Sequence, residues 1–115
     1  MSNMAYKDAT FGGDVSILKR PPFEGVPITL DFTNVVAVDT ATGLKVVKAG
    51  TPIDDDGVVS NDGDAIGILL FDVLEDRPQG TILKKAYIDL AKAEASSGLT
   101  IASQAKAALP MVVFE

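Results

Sequence analysis

Five aspartates between Ile53 and Ala65 are the residues of this sequence that could most readily bind a metal ion. They are Asp54, Asp55, Asp56, Asp62 and Asp64. An EF-hand loop places its calcium ligands at fixed positions around a glycine. When Gly57, Gly63 or Gly67 is taken as that glycine, at least one of the required ligand positions falls on a residue whose side chain has no oxygen. An irregular calcium site stays open, but aspartate, asparagine and glycine together are typical of tight turns. We therefore predict exposed turns and assign no metal site.

Acid–base and nucleophilic catalysis are both disfavoured by the residue types present. A carboxylate pair would need burial or a fixed neighbour to shift a pKa, and exposed turns provide neither. The sequence has no histidine and no cysteine. A serine nucleophile would therefore need a lysine as its base, such as Ser103 with Lys106, and these are more simply the polar face of a helix. Neither the GxGxxG nor the P-loop pattern occurs. We expect a protein that is not an enzyme, with no catalytic residue and no cofactor.

Composition and charge restrict the partners. The chain has 115 residues, 47% of them hydrophobic, and a formal net charge of −6, which indicates one globular domain. No basic cluster exceeds two residues, so we expect no nucleic-acid partner. The longest apolar run, Ala65–Phe71, is too short to span a bilayer. The first ten residues, MSNMAYKDAT, lack the apolar region of a secretory signal, so no membrane partner is expected.

Alternating and β-branched segments predict a β-rich domain over residues 28–115. Residues 28–33 alternate between apolar and polar side chains, as in a half-buried strand. Val35–Val38 and Leu44–Val47 read as two further strands, joined by a turn over Thr40–Gly43. Ala65–Val73 is apolar almost without interruption, which predicts a central strand covered on both faces.

The C-terminal third mixes helix and strand signals. Residues 81–95 fit helical spacing, but the β-rich context favours a strand through about Ile88 followed by a short helix. Thr100 is a candidate N-cap for a short alanine-rich helix over residues 101–109. Met111–Phe114 reads as a last strand. The predicted fold class is therefore mainly β with one or two short helices (α+β).

Residues 1–27 read as a flexible N-terminal arm. Glycine and proline recur there with little periodicity, so we expect little regular structure. Four apolar residues of this arm are candidate anchors: Phe11, Ile17, Leu18 and Phe23. They could bind a partner protein, ordering only on contact, or fold back onto the chain's own core.

Three segments carry a resemblance to a known family. KAGTPI (Lys48–Ile53), AIGILLFDV (Ala65–Val73) and ALPMVVF (Ala108–Phe114) occur in this order. The sequence over residues 35–115 thereby resembles the lambda-type head-decoration proteins and head-fibre base proteins of tailed bacteriophages. The resemblance implies a compact β-clip or β-tulip-like capsid decoration domain. It also implies a position on the capsid exterior, where members of the family commonly form trimers that clamp neighbouring coat subunits.

From this resemblance we expect a structural virion protein, made in the host bacterial cytoplasm, that stabilises a bacteriophage capsid from outside. It would be a decoration protein or a head-fibre base. The expected partners are the major capsid protein, through the four arm residues, and further copies of the chain, as a trimer in preference to a dimer. Ile66, Ile68 and Leu70, or their alternate neighbours, are the candidate self-association residues.

Two other functions stay open. A carbohydrate- or surface-binding β module would usually offer aromatic platforms, and this chain has five phenylalanines, two tyrosines and no tryptophan. A small metal-dependent enzyme would have to use the aspartate cluster described above.

Overall fold

The computed structural model describes residues 17–115, which form seven β-strands and two short α-helices. In chain order these are β1 (Leu18–Thr29), β2 (Val46–Val47), β3 (Pro52–Ile53), β4 (Gly67–Leu69), β5 (Val73–Leu74), β6 (Gln79–Ile88), α1 (Leu90–Ser97), α2 (Ser103–Ala108) and β7 (Val112–Phe114). The predicted class, mainly β with one or two short helices, is confirmed. No helix in this part of the chain is long and apolar enough to cross a membrane.

Strand β6 is the centre of the main sheet, in which the hydrogen-bonded order is β1–β6–β4–β3. Strand β1 pairs antiparallel with one edge of β6, from Leu18 opposite Ile88 to Thr29 opposite Gln79. The other edge of β6 is shared, because β4 pairs antiparallel with residues 82–83 and β7 pairs parallel with residues 86–88. Strands β2 and β5 form a separate two-stranded sheet. One strand thus joins the first and the last parts of the described chain.

Two hydrophobic clusters lie on opposite faces of the main sheet. Ile68 is paired with Leu83, and the next pair along is Leu69 with Ile82. Successive side chains of a strand point to opposite faces. The first pair therefore packs in the cluster that includes the helix alanines, and the second pair packs in the cluster beneath β2 and β5. The prediction of a strand covered on both faces is confirmed for β4, in which all three residues are buried.

The apolar run Ala65–Val73 does not form one long strand, contrary to the prediction. Strand β4 ends at Leu69, and the chain bends at Phe71 before β5 begins. The bend is held by Asp72, which accepts a hydrogen bond from Ala49 N–H at 2.8 Å. The Asp72 carboxylate also lies 3.5 Å from Lys48 Nζ. A partner more than twenty residues upstream, which the local sequence does not reveal, therefore divides the run.

The predicted arm over residues 1–27 is not irregular throughout. Residues 1–16 lie outside the described part, but residues 18–27 belong to β1. This strand contains Pro21, Pro22 and Pro27, and its register with β6 shifts three times between Leu18 and Gly25. Prolines are tolerated there because β1 is an edge strand, in which not every backbone N–H must bond to a neighbour. The long-range partner β6 imposes the extended conformation that the local composition disfavours.

Both predicted helices are present in the predicted order, but the N-cap predicted for the second one is wrong. Helix α1 begins after Asp89, which accepts a hydrogen bond from Lys92 N–H, and ends at Gly98 in the left-handed conformation (φ 74°). The prediction of a strand through about Ile88 followed by a short helix is confirmed. Helix α2 is capped at Ala102 without a side-chain hydrogen bond, so the prediction of Thr100 as its N-cap is wrong.

The predicted hairpin around Thr40–Gly43 is reduced to a single bridge. The turn forms, with Gly43 at φ 75°, but only Val38 and Lys45 pair across it. Val46–Val47 pairs instead with β5. The strands predicted on either side of the turn are therefore shorter than their β-branched residues suggest.

Candidate interaction surfaces

Asp54 organises the acidic turn that follows β3. One of its oxygens accepts hydrogen bonds from the N–H groups of Asp56 and Val58, each at 2.9 Å, and the other accepts from the Ser60 hydroxyl at 3.0 Å. Desolvation alone would raise the pKa of Asp54, but the three hydrogen bonds outweigh it and lower the pKa below its ordinary value. Asp54 is thus held as a carboxylate that supports the turn.

The neighbouring acids add no buried group for catalysis. Asp54, Asp55 and Asp56 can bring carboxylate oxygens within 4.8 Å of one another, so this is where the described chain could hold a cation. Such an ion would have to compete with the donors that already bind Asp54. Asp55 and Asp56 are exposed, and Asp62 accepts from Asp64 N–H at 2.9 Å in a second exposed turn. The arrangement is that of solvated turns, as predicted from the residue types.

The four candidate anchors of the arm have different environments. Phe11 lies outside the described residues. Ile17 is fully buried in the cluster beneath the helices, and its carbonyl accepts a hydrogen bond from Asp89 N–H at 2.7 Å. Leu18 is half-buried against the same cluster. Only Phe23, with 46% of its surface exposed, is open to a partner. The domain itself therefore takes up Ile17 and Leu18, and the capsid-binding role of the set stays a prediction.

The side chains of the predicted self-association residues are mostly buried within their own domain. Ile68 is fully buried and Leu70 has 7% of its surface exposed. Ile66 is half-buried against the cluster beneath β2 and β5. A side chain already covered by its own domain has little apolar surface left for another copy. The exposed apolar side chains elsewhere are the better candidates for contact with a partner.

A charged cluster joins β1 to the residue that follows β7. The Arg20 guanidinium and the Glu115 carboxylate form a two-pronged ion pair, with 2.7 Å between Arg20 Nη2 and Glu115 Oε2. The hydrogen bond to Glu115 raises the pKa of Arg20, a side chain that is a cation at any ordinary pH. The same guanidinium lies 4.3 Å from the centre of the Tyr87 ring. One face of this ring is thereby covered, which disfavours Tyr87 as a platform for sugars.

A groove lined by valines lies between four segments that are distant in sequence, and we name it the valine groove. Its volume is about 410 Å³. Its apolar lining comprises Val35, Val36, Ala37, Val46, Val47, Val58, Val59 and Leu99, and its polar lining comprises Asp31, Asn34, Lys48, Thr51 and Ser97. Val36 is 89% exposed. The size and the lining are those of a binding site for an apolar group.

Two residues that line the valine groove, Val36 and Val59, form no backbone hydrogen bond with the described residues. Val59 forms an antiparallel bridge with Ile53, flanked by hydrogen bonds from Asp54 N–H to Val58 C=O and from Ser60 N–H to Pro52 C=O. In this pairing the N–H and C=O of Val59 itself point away from β3. On the other side, the backbone of Val36 makes no hydrogen bond to the described residues.

The valine groove was not predicted from the sequence. The sequence feature that corresponds to this groove is a set of three Val-Val pairs, at residues 35–36, 46–47 and 58–59. Each pair was interpreted alone as part of a short strand. Only the fold brings the three pairs together beside the end of α1.

Comparisons with known proteins gave no relative for this chain. No protein-family model, no curated protein and no solved structure matches it.

Proposed function

We propose that this chain is a structural virion protein that binds the outer surface of a bacteriophage capsid and stabilises it. Its β-rich domain would be of the β-clip or β-tulip-like decoration type. Its partners would be the major capsid protein and further copies of the same chain, as a trimer in preference to a dimer. The proposal starts from the resemblance of KAGTPI, AIGILLFDV and ALPMVVF to decoration and head-fibre base proteins. The position on the virion exterior follows from the same resemblance.

The structural observation that best supports this proposal is the open edge of β1. The strand has twelve residues, and all but its first and its eleventh are exposed. One edge pairs with β6, and no other described strand pairs with the opposite edge. An unpaired edge offers N–H and C=O groups to an extended segment of another protein. Its prolines lower the tendency to pair without selectivity, because they remove donors from the edge.

Two exposed apolar residues of β1 would give this edge its selectivity. Phe23 is 46% exposed and Val26 is 38% exposed. Buried aromatic anchors commonly dominate the binding energy of an interface, while backbone pairing contributes less selectivity. Several copies of such an edge in one oligomer would raise the overall affinity well above that of a single contact.

Co-sedimentation with purified capsids tests the proposal. We expect the wild-type protein to sediment with capsids and to show a trimeric mass by light scattering. Phe23→Ser should weaken capsid binding by tenfold or more, equivalent to about 1.4 kcal/mol. The matched control is Phe71→Ser, which removes an exposed phenylalanine from the bend before β5. Absence of wild-type binding would refute the capsid function. Equal loss of binding in both variants would refute the role of β1.

A further inference from the structure

Residues 36–38 form a second open strand edge, apart from that of β1. Val38 bridges Lys45 in antiparallel fashion, and the two flanking hydrogen bonds, at 2.8 and 3.0 Å, are formed by the residues before and after each of them. In this pairing the N–H and C=O of Val38 point away from Lys45. The backbone has no turn or bend over residues 35–39, so the N–H and C=O of Val36 lie on the same edge. Neither valine forms a backbone hydrogen bond within residues 17–115.

The side chains of this edge are apolar and open to water. Val36 is 89% exposed and Val38 is 53% exposed. Because they are two positions apart in an extended segment, both lie on one face of it. The prolines that protect the edge of β1 have no counterpart here, since residues 34–39 are NVVAVD. An apolar edge without such protection is a surface on which another strand can pair.

The strand that fits this edge best is the same segment of a second copy. Antiparallel alignment about a two-fold axis places Val36 opposite Val38 of the second copy, and the reverse. Each of these pairs would exchange two N–H···O=C hydrogen bonds, which makes four in all. Ala37 would lie opposite itself on the axis, with its two Cα atoms about 4.5 Å apart. This side chain is small and exposed, so it permits the close approach.

The side chains agree with the same alignment. The valines of both copies would come together on one face, and apolar pairs across neighbouring strands stabilise a sheet. Asp39, the only charged residue of residues 34–39, would lie opposite Val35 of the second copy, so like charges do not meet. Its carboxylate accepts a hydrogen bond from the Thr42 hydroxyl at 2.9 Å within its own turn. Hydrogen bonds, apolar surface and charge are thus all matched for a partner of identical sequence.

We propose that residues 36–38 are a self-association edge that joins two copies of this chain about a two-fold axis. Three residues from each copy make a small contact, so the association is weak and depends on concentration. The residues involved are distinct from those of β1, and the pairing does not depend on the proposed function. If that function holds, the contact would link neighbouring trimers, and copies crowded on a capsid would pair at a high effective concentration.

A charge exchange at Ala37 tests this pairing. Ala37→Lys or Ala37→Asp would place two like charges opposite each other on the axis. In analytical ultracentrifugation over a range of concentrations, we expect wild type to form a species of twice the mass of either variant. An equal mixture of the two variants should restore the doubled mass, because opposite charges then meet. The matched controls are Ala41→Lys and Ala41→Asp, at an exposed alanine of the turn over residues 40–43, and these should behave as wild type.

A cross-link tests the alignment itself. The chain has no cysteine, so Ala37→Cys provides one thiol per copy. The expected separation of the two Cα atoms lies within the range of about 4.4–6.8 Å that disulfides span. Mild oxidation should therefore cross-link Ala37→Cys faster than Ala41→Cys, as seen on a non-reducing gel. Equal rates for the two variants would overturn the alignment.

Two other results would overturn the pairing. One is a wild-type mass that does not rise with concentration, and the other is an Ala37→Lys variant that associates as wild type does. Co-sedimentation with capsids reports separately on the proposed function, and Ala37→Lys should sediment with capsids because β1 is intact. Loss of capsid binding in Ala37→Lys without a change in mass would assign residues 36–38 to the coat protein and overturn the proposal. Absence of capsid binding in wild type would refute only the capsid function.

Discussion

Replacing Gly50 by alanine should destabilise the protein through contact with the backbone of α1. Gly50 has φ +93°, and a Cβ added there would lie 2.6 Å from the Ala93 carbonyl oxygen and 3.0 Å from Ala93 Cα. The loop cannot move away freely, because Gly50 N–H donates a hydrogen bond to Leu69 C=O at 2.8 Å. Helix α1 cannot retreat easily either, since Ala93 is fully buried. The substitution therefore combines backbone strain with steric overlap.

The expected magnitude follows from these two effects. A left-handed conformation costs an alanine about 1–2 kcal/mol relative to glycine. Overpacking of a filled site adds about 1–3 kcal/mol, and the stiffer unfolded chain of the variant returns about 0.4–1 kcal/mol. We expect a net loss of about 3 kcal/mol in the free energy of unfolding. For a chain of this size, such a loss corresponds to a fall in Tm of roughly 10 °C.

Gly43→Ala is the matched control for this experiment. Gly43 also has a positive φ, +75°, but a Cβ added there has no neighbour within 4 Å. The control therefore keeps the backbone strain and removes the overlap, and it should cost about 1 kcal/mol or less. Urea unfolding followed by circular dichroism gives the free energy of unfolding of wild type and both variants. If Gly50→Ala is no less stable than Gly43→Ala, the close approach of this loop to α1 is refuted.

Two further predictions concern hydrogen bonds in the loops. The lowered pKa of Asp54 means that its carboxylate stabilises the folded state above the ordinary aspartate pKa. This stabilisation is lost as the pH falls through the lower, folded-state value. Urea unfolding between neutral pH and acid should therefore show a smaller loss of stability for Asp54→Asn than for wild type; an equal loss would contradict this role. Asn61 donates to Thr100 C=O and accepts from Ala102 N–H, each at 2.8 Å. Asn61→Ala should cost about 1–3 kcal/mol in thermal or urea unfolding, whereas Asn34→Ala, which removes no hydrogen bond within residues 17–115, should cost less than about 0.5 kcal/mol. Equal costs for the two asparagines would refute the link.

Local signals in the sequence predicted the elements that nearby residues determine. The end of the strand near Ile88 and the short helix that follows it were both expected. Helix α1 ends at Gly98, because glycine readily adopts the left-handed conformation that commonly ends a helix. The last strand, predicted over Met111–Phe114, was also expected and extends from Val112 to Phe114.

Elements determined by distant partners were predicted poorly. Residues 18–27 are rich in proline and glycine, yet pairing with β6 makes them a strand. The side chain of Asp72 bends an apolar run because its partners, Lys48 and Ala49, lie in another loop. Threonine is a residue type favoured at N-caps, but the Thr100 carbonyl accepts a hydrogen bond from the Asn61 side chain, and α2 begins three residues later. Periodicity carries no information on such contacts.

Among the candidate surfaces too, the sequence predicted those formed by neighbouring residues and missed those formed by distant ones. The acidic turns were predicted as turns, because aspartate hydrogen-bonds to the backbone of its own segment. The valine groove was not predicted, because it consists of residues that are far apart in the chain. Exposure of Phe23 and burial of Ile17 likewise depend on β6, which no pattern within residues 1–27 could reveal.

The position of β1 beside β6 has a consequence for how the protein acquires its structure. Their paired residues are separated by between 50 positions, for Thr29 with Gln79, and 70 positions, for Leu18 with Ile88. Contacts of high sequence separation require closure of long loops, and proteins that depend on them fold slowly. During synthesis, β1 leaves the ribosome first, and its backbone stays exposed to water and unpaired with β6 until β6 has been made. Its prolines would then protect the nascent chain from premature association during that interval.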